Sequence, residues 1–264
     1  MASGDTSILV GSYSNWPSTT VTIDGTGYEV TASSGGLYVS HSTNALNFMV
    51  QLKTHMDTEL GGTNVVRLNK SGKMFISHSL GNFAITWTDS LAQTFSGFTQ
   101  GNLSGASSYT ADDVSPYIFI PGTTENPENH VLGVSGAVVW DVMGGVSRDG
   151  TTSTAILNSQ RVSRIGWRYV AMAKFWDAAD EDRHFKGLWD NVLIRGRKFF
   201  HYRNVAWDDS STDAISLGTG LGPYAMNSEE TGVELPFRRS DGFQTVDAYF
   251  DVNLAMGVTP EYTA

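Results

Sequence analysis

The stretch from Arg161 to Arg203 constrains the fold most, because three element predictions follow one another there without conflict. From Ile165 the odd positions are Ile165, Trp167, Tyr169, Ala171, Ala173 and Phe175, with Gly166, Arg168, Val170, Met172 and Lys174 between them. This period of two, with the bulkier apolar groups on one face, predicts a long sheet strand that is at least half buried. The acidic run Asp177, Asp180, Glu181, Asp182 then suits a helix N-terminus. Phe185, Leu188, Trp189 and Val192 fall at i, i+3, i+4 and i+7, which is one apolar stripe of a helix near 179–195. Gly196 can take the left-handed position after it, and Lys198 to Tyr202 resumes as a strand. These are scaffold signals rather than catalytic ones.

A chain of 264 residues can bury ~70–75% of its unfolded surface, so its core needs neither disulfides nor metal. It has no cysteine, which removes disulfide frameworks, thiolate zinc sites and cysteine nucleophiles together and fits assembly in a reducing cytoplasm. The first residues lack the basic and apolar regions of a signal peptide, and no apolar run approaches the ~18–20 residues of a membrane span. A formal charge of −10 argues against a broad grip on nucleic acid. Only 17% of residues are charged, against about 25% in ordinary soluble domains. With 28 glycines, 13 Phe, 10 Tyr and 7 Trp, this composition suits a β-rich chain that presents surface to other subunits, or one that is simply rich in turns.

Short strands are expected over the first forty residues, with Asp24-Gly25-Thr26-Gly27 as a hairpin turn. A helix capped by Ser42 or Thr43 follows, with Ala45, Phe48, Met49, Leu52 and Met56 on one stripe and Gly61-Gly62 behind it. A hairpin turning at Asn69 to Gly72, a strand with Phe83, Ile85 and Trp87 on one face, and a short helix with Leu91, Ala92 and Phe95 inside complete a helix–strand–strand–strand–helix unit. The polar, aperiodic run 122–129 marks a module boundary, giving modules 1–122 and 130–264. The predicted structural core comprises Phe185, Leu188, Trp189, Val192, Trp167, Tyr169, Trp87 and Phe95.

The chain lacks a G-x-S-x-G elbow, an H-E-x-x-H pair and a P-loop; Gly218, Gly220 and Gly222 suggest a glycine-rich phosphate loop, but the third glycine has the wrong spacing and Pro223 sits where a helix should start, so an ordinary loop is the better reading. Asp177, Asp180, Glu181, Asp182 and His184 form the best metal candidate, but the run reads better as a helix start stabilised by the helix dipole. None of His41, His55, His78, His130, His184 and His201 sits in a recognised motif, and a triad assembled only in space stays open. Asp112-Asp113 and Glu229-Glu230 could supply paired carboxylates for sugar hydrolysis, but adjacent residues diverge on a strand and solvated loop is the better reading. Trp16, beside Pro17, is the tryptophan expected to be exposed. No catalytic residue, metal site or cofactor is therefore predicted.

The unit from Ala45 to Gly97, with Ser71-Gly72-Lys73-Met74-Phe75-Ile76, Phe83-Ala84-Ile85-Thr86-Trp87 and Leu91 to Phe98, resembles a small module of tailed-bacteriophage structural proteins. The strand Ile165 to Phe175, the helix with Phe185 to Val192, Arg195 to Tyr202 and Tyr249 to Leu254 are similar to the tail-tube-like fold of tail tubes and distal tail proteins. The resemblance implies a β-rich α+β protein: a small N-terminal module joined to an antiparallel β-sandwich or barrel with one packed helix. It further implies a virion component assembled in the host cytoplasm. Such a component forms a homo-oligomeric ring, most plausibly hexameric, in the tail or tail tip, and docks other tail proteins. It would have no active site, no membrane and no sequence-specific nucleic acid, although DNA could pass through its lumen. The long strand would pair within a subunit or across the ring by its edge. Alternative readings are a receptor- or carbohydrate-binding virion module and, less favoured, a hydrolase.

Overall fold

The computed structural model describes residues 8–33, 36–41, 44–69, 71–119, 131–146, 152–171, 185–202, 221–226, 232–234 and 249–258, with the backbone path alone for 131–146, 152–171, 232–234 and 249–258. The first half runs β1 (Ile8–Tyr13), β2 (Thr19–Ile23), β3 (Thr26–Val30), β4 (Leu37–Tyr38), α1 (Phe48–Leu60), β5 (Asn64–Leu68), β6 (Lys73–His78), β7 (Phe83–Trp87), α2 (Ser90–Ser96), β8 (Leu103–Ala106), β9 (Ser108–Val114) and β10 (Ile118–Phe119). The second runs β11 (Val131–Val146), β12 (Thr152–Ala171), α3 (Phe185–Leu188, continued by a π turn over Trp189–Leu193), β13 (Phe199–Tyr202), β14 (Leu221–Met226), β15 (Gly232–Glu234) and β16 (Tyr249–Val258). The fold is β-rich α+β, built on three antiparallel sheets.

Local chemistry explains the first half. Asp24 and Gly25 both have positive φ, 44° and 94°, which a two-residue hairpin turn matched to strand twist requires. Asn47 caps α1 by accepting hydrogen bonds from the N–H groups of Met49 and Val50, so the cap lies later than Ser42 or Thr43, and Ala45 falls outside the helix and is exposed. Phe48, Met49, Leu52 and Met56 then point inward from α1. Asp89 caps α2 through Leu91 and Ala92, and Gly97 ends it in the left-handed conformation. A Cβ at Gly97 would stand 2.2 Å from the Asp113 carbonyl oxygen, so both the turn and the close approach need glycine.

The three sheets do not follow the division at 122–129. One has the order β3-β2-β7-β8, another β5-β6-β9, and the nine-stranded sheet runs β10-β1-β13-β14-β16-β12-β11, with β4 on β1 and β15 on β16. The second-half strand β13 pairs with β1, Ile8 opposite Tyr202 and Gly11 opposite Phe199. Helix α3 packs on β10 through a T-shaped contact of Phe119 with Phe185, centroids 5.3 Å apart. Residues 185–202 are thus packed against the core of the first half. Non-local pairing joins them, and a change in composition along the chain carries no trace of it.

The core is continuous across these joins. Trp16 is 8% exposed and packs against Phe48 and Phe95, and its indole N–H donates to the Val30 carbonyl, so the expectation that it is exposed fails. Trp87, Phe95, Phe185, Leu188 and Val192 are buried, while Trp189 is partly buried against the same core. Trp167 and Tyr169 lie on β12, whose side chains fall outside the description. The acidic run 177–182 and His184 lie outside the described residues. Gly196 has φ 63°, the left-handed position that its place after the helix suggests.

Candidate functional site

Strand β12 begins at Thr152, earlier than the alternation from Ile165 indicates, and pairs on one side with β11 and on the other with β16. Over Val162–Ala171 it is therefore an interior strand, paired within its own chain. Among the described residues β11 ends the order of the large sheet on one side and β10 on the other. Past the Val162–Gly257 pair, β11 and β12 continue as a pair of strands, without a third among the described residues, from Val138↔Arg161 to Val146↔Thr152. At a rise of ~3.3 Å per residue this two-stranded arm is about 30 Å long. Across its 16 residues β11 carries one charge, Asp141, and neither proline, lysine nor arginine.

The candidate reactive groups are spread apart. Asp112 lies on β9 rather than in a loop, and its carboxylate accepts from the N–H groups of Thr99 and Gln100 at 2.8 and 3.0 Å. Burial works to raise its pKa, but these backbone bonds and side-chain bonds from Thr99 and Gln100 outweigh it and hold the group below the usual carboxylate value. It clamps the segment after α2. His41 is buried against Tyr38 and Phe200, and burial lowers its pKa. His78 bonds Asn64 at 2.9 Å across β5 and β6. Among the described residues no group of three His, Cys, Asp or Glu could hold a metal ion, and no helix is long and apolar enough to cross a membrane. Glu229 and Glu230 lie outside the described residues, and Gly222 lies on β14.

Among the described residues a concave site forms where β1, α2, the segment before β10 and the end of α3 meet. Its volume is ≈ 320 Å³, and its lining includes Tyr13, Ser90, Thr94, Tyr117, Arg195 and Arg197. The Arg197 guanidinium lies 4.2 Å from the centroid of Tyr13 and 5.7 Å from that of Tyr117. Its Nη1 donates to the Tyr117 hydroxyl at 3.1 Å and to the Asn191 carbonyl at 2.9 Å. Burial raises the pKa of the Tyr117 hydroxyl, while Arg197, and less strongly Arg195, pull it down. Arg195 is exposed and donates through Nε to the Asp190 carbonyl at 2.8 Å. The site escapes sequence reasoning because its residues come from four separated segments. Its one local signal is the pair of arginines flanking Gly196.

No family model, curated protein sequence or solved structure matches the chain.

Proposed function

We propose that the chain is a structural component of a tailed-phage virion that builds a ring in the tail or tail tip and docks neighbouring tail proteins. The observation that carries this reading is the outer edge of β11, which pairs with β12 alone among the described residues, together with the arm the two strands form. An isolated two-stranded ribbon is marginal in water. A long edge without proline or lysine is a template for pairing with another chain. A neighbouring copy that adds a strand to this edge satisfies the free backbone groups, and the head-to-tail contact closes a ring when its rotation divides a full turn. The low charged fraction fits extensive subunit contacts. The hexameric order, the virion location and a lumen that passes DNA come from the resemblance of Ile165 to Tyr202 and Ala45 to Gly97 to phage tail proteins. On this reading the protein works by assembly, not by catalysis.

Electron microscopy of the purified chain, and of particles carrying a labelled copy, tests the proposal. The expected result is closed rings and a label confined to the tail. A chain that stays monomeric at high concentration and is missing from the tail overturns it.

A further inference from the structure

The arginine-lined pocket is a second feature, independent of the β11 edge. Neither Arg195 nor Arg197 has a carboxylate partner among the described residues. The nearby acids are engaged elsewhere: Asp190 is paired with Lys186, and Asp89 caps the first N–H groups of α2. Two guanidiniums without a carboxylate partner among the described residues therefore line one pocket. Arg197 is half-buried and held by two hydrogen bonds and two aromatic faces, so its planar fork is oriented before any ligand arrives. A half-buried guanidinium without a counter-ion gains most from an anion that shares its low-dielectric surroundings.

The remaining lining narrows the ligand. Ser90 and Thr94 are exposed hydroxyls at the rim, and Leu91, Phe95 and Pro116 supply apolar wall. A volume near 320 Å³ lies at the lower end of the ~300–1,000 Å³ range of small-molecule pockets, so the ligand is small. We propose that this pocket binds a hydroxylated carboxylate of about monosaccharide size, of the uronic-acid type. The carboxylate meets Arg195 and Arg197, and the sugar hydroxyls meet Ser90 and Thr94.

The test is an NMR titration of the full chain with glucuronate, with glucose as the uncharged comparison and a short glutamate-rich peptide as the competing class. Glucuronate is expected to shift resonances of residues 90–95 and 195–197 saturably, while glucose binds at least about tenfold more weakly, as loss of a charge-assisted pair requires. Arg195→Gln, at an exposed position, is expected to weaken glucuronate about tenfold with the unfolding midpoint unchanged. Arg197→Lys keeps the charge but removes the fork, and is expected to weaken binding as well. Equal binding of glucose and glucuronate, or no saturable shift with either, overturns the proposal. Tighter binding of the glutamate peptide than of glucuronate also overturns it and makes the pocket a protein-docking site.

Discussion

Gly11 on β1 lies directly beneath Val192 of the π turn: a Cβ at position 11 would stand 2.3 Å from Val192 Cγ2 and 2.8 Å from Cγ1. This contact is where the first strand and the third helix close on one another. Valine has little rotamer freedom to yield. Gly11→Ala should therefore destabilise the protein by ~1–3 kcal/mol through overpacking. Urea unfolding checks the value. Adding Val192→Ala should recover part of the loss, so the double variant should be more stable than the sum of the two single effects predicts.

Helix α3 gives a second ordering. Phe185 is fully buried and meets Phe119 edge to face, whereas Trp189 is partly buried and reaches Phe185 at 6.0 Å. Phe185→Ala should cost ~3–5 kcal/mol, and Trp189→Ala distinctly less despite the larger side chain. Equilibrium unfolding of the two variants checks the ranking, and equal losses would contradict it.

These contacts show where sequence reasoning stops. The Asp24-Gly25 turn is legible because it follows from the conformation of adjacent residues. The inward face of β7 is legible for the same reason, since alternation fixes Phe83, Ile85 and Trp87 together. Trp16 is misread because its neighbours are polar and its partners, Phe48 and Phe95, are distant in sequence. The cap of α1 is Asn47 rather than Ser42 or Thr43, because its side chain accepts from the N–H groups of Met49 and Val50. The pairing of β1 with β13 leaves no local signature either, because loop-closure entropy rises only slowly with length and permits such distant partners. The arginine pocket inherits this limit, as Tyr13 and Arg197 meet only after that pairing forms.

His41 predicts a pH dependence. Burial against Tyr38 and Phe200 holds its pKa below the ordinary value of 6.5. The unfolded chain therefore binds more protons than the folded one as pH falls below that value. Stability should be complete above about pH 6.5 and decline as pH falls, levelling once the folded group also protonates. His55 adds a slope of the same sign, because burial lowers its pKa more than its bond to the Glu29 carbonyl raises it. Urea midpoints at pH 7.5 and 5.5 measure the decline. His41→Phe, which keeps a ring in the same aromatic setting, should reduce it.

The edge of β11 provides the test that separates folding from assembly. Position 139 lies opposite Gln160 in the arm, beyond the last pair that β12 makes with β16. Lysine at sheet edges is a recurrent device against strand addition, because docking a second strand there requires the ammonium group to be desolvated. Ala137→Lys and Val139→Lys together place two charges near the start of the arm, where β11 carries none of its own before Asp141. The residues that form the core around Trp16, Phe95 and Phe185 are untouched by either change. The double variant should keep the wild-type circular dichroism spectrum and unfolding midpoint while shifting its light-scattering mass toward the monomer. Unchanged oligomers would show that the β11 edge is not the assembly surface. A lower midpoint with unchanged oligomers would show that the arm packs within its own subunit.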